Sequence, residues 1–422
     1  MNESQSSKLR PASAAPALTT AQSKAATTPQ SGEAARMAAR PSPPPPSTNG
    51  PKHAMSHPAP TKGSQQGQPA DAGSVTSAEV PETEPESPLP SAPAEGSRSS
   101  LAALPIGRIA AGVVLLAILV IGGLGIYWTI QPDARDVLAE TQAAMGSEST
   151  AIPSGLATVT ATIAVADTLL EKPGGYLSND VTPPGILMDN MPAWEYGVIT
   201  ELRDTVRSLR NDFSRSQTQS VENRDLKTAD SQFNFDSESW LLPSTEEEYR
   251  SGIAALEGYR QGLLDRRDPS ARFYARADNL GAYLAVVEKR LGSLAQRLAA
   301  SVGDSELTAA LAGAPSVQGL PRTAWDEIDD VFYEARGYTW ALLHTMQALS
   351  IDFAKVLKDK NAEVSMQQVI RDLEGASTRK WSPLVLNGHG YGLLANHSLV
   401  MASYISRTNA AVLDLRVLLQ QG

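Results

Sequence analysis

The sequence predicts an all-α protein: an elongated helical bundle with heptad-like seams, preceded by one transmembrane helix and a disordered N-terminal tail. Three observations carry this. The first hundred residues are rich in proline and lack aromatic side chains. A single uncharged run follows them. Beyond it, apolar residues recur at alternating spacings of three and four, with few period-two stretches.

The tail is expected over residues 1–105. Residues 1 to 108 hold 18 of the 29 prolines and no Phe, Trp or Tyr. Such a segment buries too little apolar surface to offset the entropy of ordering it. The run "PSPPPP" at Pro41 to Pro46 favours local polyproline II, which stiffens a chain without folding it. A flexible tail of this length has an r.m.s. reach of roughly 60 Å.

The transmembrane helix is expected over residues 106–130. From Ile109 to Ile130 there is no charge. A helix of this length spans roughly 33 Å, against a hydrocarbon core of ~30 Å. Arg108 closes one end, and Tyr127 and Trp128 fall where an aromatic belt belongs. The run is too long for a signal-peptide core and starts about a hundred residues in. Arg98 and Arg108 lie before it, and Arg135, among Asp133, Asp136 and Glu140, lies after it. The positive-inside rule therefore favours a cytoplasmic tail and an exported body.

The body, residues 131–422, reads as six to eight helices. Its seams are Leu156-Val159-Ile163-Ala166-Leu170, Ile199-Leu202-Val206-Leu209-Phe213, Phe273-Ala277-Leu280 on to Leu298, and Ile328-Val331-Ala335-Tyr338 on to Val356. A last amphipathic stretch runs from Leu394 to Leu419. Seams of this kind pack helices nearly parallel in bundles or coiled coils. Helix starts are expected at Asn190 or Met191 before Pro192, at Ser244 with Glu247, at Asp268 before Pro269, and at Thr323 with Asp326. The seam from Leu280 to Leu298 suits an intramolecular core or, alternatively, a zipper to a second copy.

Composition excludes some functions. Residues 1 to 108 carry nine Lys/Arg and eight Asp/Glu, net +1; the whole chain is −10, which leaves −11 for the rest. An acidic body without a basic stripe argues against nucleic acid as a partner. The absence of cysteine excludes disulfides and thiolate chemistry.

The densest cluster of unusual residues is "GGYLSNDVTPPGILMDNMPAWEYG", residues 174 to 197. Gly174 and Gly175 end a helix, Pro183-Pro184-Gly185 makes a turn, and Asn179, Asp180, Asp189 and Asn190 suit Asx turns and caps. Asp180, Asp189 and Glu195 would serve as hard-cation ligands or an acid/base pair only if they converged. The favoured reading is a contact surface of Asp180, Asp189, Trp194, Glu195 and Tyr196, with both aromatics as anchors; Trp194 packed beneath the loop is the plainer alternative. No metal, cofactor or catalytic residue is expected. His344 reads as a core histidine, and "NGHGYG" at Asn387 to Gly392 as a turn. Arg207, Arg210 and Arg215 form the one modest basic spot.

Read in order, the apolar run, "KPGGYLSND", "PPGILMDNMPAWEYGV", "RNDFSRSQ", "SWLLPSTEEEY", "FYARADNL" and "VEKRLGSLAQRL" resemble a family of bacterial single-pass inner-membrane proteins classed as a conserved domain of unknown function. The resemblance runs from about residue 105 to the C-terminus. It implies a protein anchored in a bacterial inner membrane and assigns no activity; with the orientation that the charge bias favours, the N-terminus is cytoplasmic and the body periplasmic. The expected function is a non-enzymatic scaffold or partner-binding domain. Its partners would be the lipid bilayer and an envelope protein or a second copy. An envelope enzyme using the 174–197 carboxylates and a helical ligand sensor are the alternatives.

Overall fold

The computed structural model describes residues 106–146, 151–216, 221–265, 268–302, 322–380, 382–388 and 394–421. The expected disordered tail lies outside them, as do His389 and most of the "NGHGYG" turn.

Eleven α-helices and no β-strand occur among the described residues. In chain order they are α1 (Ile106–Trp128), α2 (Val137–Met145), α3 (Leu156–Glu171), α4 (Asn190–Ser208), α5 (Arg224–Phe233), α6 (Thr245–Leu264), α7 (Ala277–Ala300), α8 (Ile328–Asp352), α9 (Ala354–Asp359), α10 (Glu363–Ala376) and α11 (His397–Gln420). A single π-turn, Leu209–Phe213, prolongs α4.

The all-α class follows the seams, which point inward into one shared core. Leu280, Leu284, Val287, Leu291, Leu294 and Leu298 of α7 are all buried. They pack within the chain, where α7 runs along α11. Each seam helix meets several others, so the body is a bundle rather than an isolated two-stranded coiled coil. Helix α3 exceeds its expected stripe: every residue from Leu156 to Ala166 is buried, which makes it a central helix.

The body has more helices than periodicity alone reveals. α2, α5 and α9 have nine, ten and six residues, too short for a clear repeat. The last long seam is also not one helix. It breaks at Phe353, which is fully buried and joins α8 to α9.

Two expected starts are displaced. Asp268 accepts from the Ser270 N–H at 2.7 Å in a turn, and α7 begins only after Arg276. Near Thr323, α8 begins after Glu327. Ser244 does cap α6 through the Glu247 N–H. The cap of α4 is Asp189, one residue before the expected position.

Two contacts set the arrangement of the core. Gly197 on α4 and Gly337 on α8 let the two backbones touch: a Cβ at Gly337 would sit 1.9 Å from the Trp194 carbonyl oxygen, and one at Gly197 would sit 2.1 Å from that of Glu334. Gly155, at φ +89°, begins α3 without a capping side chain of its own. Asp352, from the end of α8, supplies the cap instead. It accepts from the N–H groups of Gly155 and Thr158, both at 2.8 Å, and from the Thr158 hydroxyl at 2.7 Å.

Candidate functional site

The first turns of α4 carry Trp194, Glu195 and Tyr196, and the helix sends them three ways. Tyr196 is half exposed. Trp194 and Glu195 are buried, so neither belongs to an outer contact surface.

Glu195 is the hub of an internal network. It pairs with Lys172, both side chains fully buried, and accepts from the Leu177 N–H at 2.9 Å, the Ser178 N–H at 2.8 Å and the Ser178 hydroxyl at 2.5 Å. Lys172 also donates to the Gly175 carbonyl. Burial pushes the Glu195 carboxyl up, opposed by Lys172 and the donors around it. A charge so deep persists only when paired and hydrogen-bonded. The network therefore fixes the shape of the loop from Lys172 to Ser178.

That loop receives the end of α1. Gly174 has φ +90°, and a Cβ there would lie 2.8 Å from the Trp128 ring. Glycine is required by the backbone and by the indole together. Trp128, expected in an aromatic belt, is thus half-buried against the body, whereas Tyr127 and Arg108 are exposed. Further along, Gly125 of α1 faces Pro184, 3.6 Å from where its Cβ would stand.

Trp194 serves a second attachment. It packs on Trp340 of α8, ring centroids 5.2 Å apart. The Trp340 indole N–H donates to the Asp133 carbonyl at 3.3 Å. Four residues before it, the Arg336 Nε–H donates to Gln131 Oε1 at 2.9 Å. Four residues after it, His344 Nε2 accepts from the Arg135 N–H at 3.0 Å, while its Nδ1 bonds the Trp340 carbonyl oxygen at 2.7 Å. Burial holds the imidazole down at about 4, so it is neutral, as an acceptor nitrogen requires.

Three side chains at i, i+4 and i+8 thus grip alternate residues of the chain that leaves α1. The spacings agree: four helical residues advance ~6 Å, and two extended residues advance about 6.6 Å. Arg336 extends the grip by donating to the Ala376, Ser377 and Thr378 carbonyls at the end of α10. In the sequence this strap is Arg336, Trp340 and His344 at helical spacing on one face of α8. Of the three, only the histidine is singled out from the sequence, as a core residue.

The three carboxylates do not converge. Asp189 is exposed and caps α4 by accepting from the Asn190 N–H at 2.7 Å. Its acidic neighbour is Asp330 of α8, whose carboxyl burial, with Asp189 and Asp329 nearby, pushes up to about 6. Asp180 packs beside Gly185, where a Cβ would lie 2.1 Å from its Oδ2; burial and Glu246 push its carboxyl up. No group of three or more metal-ligating side chains occurs among the described residues. Two of the three arginines of the basic spot pair internally, Arg210 with Asp230 at 2.6 Å and Glu222 at 2.9 Å and Arg215 with Glu222 at 3.8 Å, while Arg207 is exposed.

A cleft of about 370 Å³ lies beside the strap. Its wall includes Arg336, Arg379, Lys380 and His397 over Phe332 and Met401, and none of its lining residues is acidic. The His397 Nδ1 accepts from the Leu386 N–H at 2.8 Å.

These features define an all-α body with one apolar helix, long enough to cross a membrane, fastened to it by a strap and a docking loop. The chain belongs to a bacterial family described as an uncharacterized protein conserved in bacteria (DUF2333), whose profile matches residues 105–422. No curated protein and no solved structure matches it.

Proposed function

We propose that this chain is a single-pass protein of the bacterial inner membrane, with residues 1–105 in the cytoplasm and the helical body in the periplasm. The body acts without catalysis, as a fixed scaffold for an envelope partner or a second copy. The observation that carries this is the double fastening of α1. Gln131, Asp133 and Arg135 are strapped to α8 and Trp128 is docked at Gly174, so the body holds a set attitude to the helix rather than hanging on a tether. Two Lys/Arg close before the uncharged run of α1 against one close after it support the orientation. The pairing of Glu195 with buried Lys172 and the use of Asp189 as the cap of α4 give both carboxylates structural work, which supports the non-catalytic reading. The test combines topology with contact. A reporter active only in the periplasm, fused after Gly422, is expected to be active. A photocrosslinker at Tyr196 is expected to give a discrete adduct in cells that one at Lys355 does not. A reporter active only in the cytoplasm, or no adduct at Tyr196, overturns the corresponding half.

The cleft favours a second reading, a ligand-binding body. Its cations over an apolar floor suit an anion with a short apolar tail, on a body that is otherwise acidic. Hexyl phosphate is expected to raise the melting temperature more than inorganic phosphate, and Lys380→Glu to abolish the difference. No shift with either compound sinks this reading.

A further inference from the structure

Two loops at the end of the body that receives α1 expose apolar side chains. The first, residues 181–187, presents Val181, Ile186 and Leu187, the last 74% exposed. The second, residues 240–242, presents Trp240, Leu241 and Leu242, the last 91% exposed. Neither is a loose segment. The second is held by the Ser239 hydroxyl, which donates to the Pro243 carbonyl at 2.9 Å, and by the Ser244 cap of α6 behind it. The loops belong to one end of the body: Asn179 Nδ2 donates to the Ser239 carbonyl at 2.9 Å, and the Tyr176 hydroxyl to that of Ser237 at 2.9 Å.

The first loop also meets α1 below its end. Pro184 lies against Gly125, three residues inside the helix terminus at Trp128 and so about 4.5 Å down its axis. Ile126 on α1 and Ile130 just past its end are exposed as well. Exposed apolar side chains clustered in this way mark an interaction surface. Chemistry and position select the partner. There is no Lys or Arg from Pro173 to Leu202 or from Thr228 to Tyr249, whereas Asp180, Glu238 and Glu246 stand close by. Attraction to anionic headgroups therefore contributes nothing here, and the contact is apolar. It is continuous with a helix whose apolar side chains are exposed along most of its length.

We propose that these two loops are a second membrane contact, seated in the headgroup–acyl boundary of the leaflet where α1 emerges, and that they hold this end of the body down on the lipid surface. The proposal rests on the reading that α1 spans the membrane, and the experiment separates the two.

The chain contains no cysteine, so single cysteines can be introduced directly. The full chain is reconstituted in phosphatidylcholine nanodiscs with a nitroxide at Leu187→Cys, Leu242→Cys, Gly112→Cys or Lys355→Cys. Relaxation by oxygen, which partitions into lipid, is compared with relaxation by a water-soluble nickel chelate. Gly112 lies within α1 and reports the span; Lys355 is a solvent-exposed reference on α9. The labels at Leu187 and Leu242 are expected to show an oxygen-to-nickel ratio several-fold above that at Lys355, approaching that at Gly112. Adding anionic lipid is expected to leave it unchanged. A ratio at either loop equal to that at Lys355, with Gly112 still immersed, overturns the second contact and leaves the span standing. Shielding of either loop from both reagents means that protein covers it, and also overturns the proposal. A Gly112 label in water removes the span and the second contact together.

Discussion

Glu195 shows how a polar residue at a helix start can be structural to its last atom. Its carboxylate holds Lys172, Leu177 and Ser178 in place, so neutralising it strands a buried ammonium. Glu195→Gln is expected to lower the unfolding free energy by on the order of 3–5 kcal/mol, read from denaturant melts. An unchanged midpoint would refute the structural role. Glu201 is a second buried carboxylate, bonded to the Thr205 hydroxyl at 2.6 Å and the Tyr283 hydroxyl at 2.8 Å, with no cation against it. Burial pushes its pKa from 4.5 up to about 7. The folded chain therefore holds a proton that the unfolded chain releases. The stability from this group is complete below pH 4.5 and is lost as the pH rises through about 7. In Glu201→Gln, the decline in stability between pH 5 and pH 8 is expected to be smaller than in the parent by roughly 3 kcal/mol. Identical pH slopes in the two proteins would show that Glu201 does not titrate there. Neither role could be read from the sequence. Lys172 lies 23 residues from Glu195 and Tyr283 lies 82 from Glu201, and spacing rules see only one or two helical turns.

Among the elements, the crossing of α4 and α8 brings two backbones into direct contact. Gly337→Ala would drive a methyl group into the Trp194 carbonyl, where no side-chain rotation gives relief. A loss of roughly 3 kcal/mol or more is expected, at the upper end of overpacking effects. Gly281 in α7 is the counter-case, with nothing within 4 Å of its would-be Cβ. There, Gly281→Ala is expected to stabilise by about 0.5–1 kcal/mol. Melting both variants checks the pair, and equal shifts would mean that helix propensity rather than contact governs Gly337. At this scale the sequence was most legible, because each buried seam repeats within one helix. The limits were geometric. A seam continues across Phe353 although the helix does not, and helices of six to ten residues lack a measurable period. The cap of α3 was hidden for another reason: its acceptor, Asp352, is 194 residues from Thr158.

For the whole molecule, the question is how the apolar helix joins the body. The strap contacts link positions 205, 207 and 209 residues apart, a regularity that emerges only once α8 and the chain leaving α1 lie side by side. Removing one rung tests it. In His344→Leu the Arg135 N–H loses its acceptor, and its hydrogen exchange is expected to accelerate at least about tenfold, while the amides of α8 remain protected. Unchanged exchange at Arg135 would mean that the rung carries no load. The stretch from Gly174 to Tyr196 takes its place in this picture. Its glycines admit Trp128, its glutamate shapes the receiving loop, and its tryptophan backs Trp340.

The strap also has a kinematic consequence. Three successive rungs on the chain leaving α1, together with Trp128 seated at Gly174, resist swivelling about the helix axis as well as bending. With α1 in a bilayer, lateral drift and spin are the freedoms left to the whole unit, and every tilt of the helix becomes an equal tilt of the body. The half-exposed Tyr196 is then offered to neighbours at one height and one latitude. An encounter between two such molecules is reduced to a search in a plane, over a single angle each.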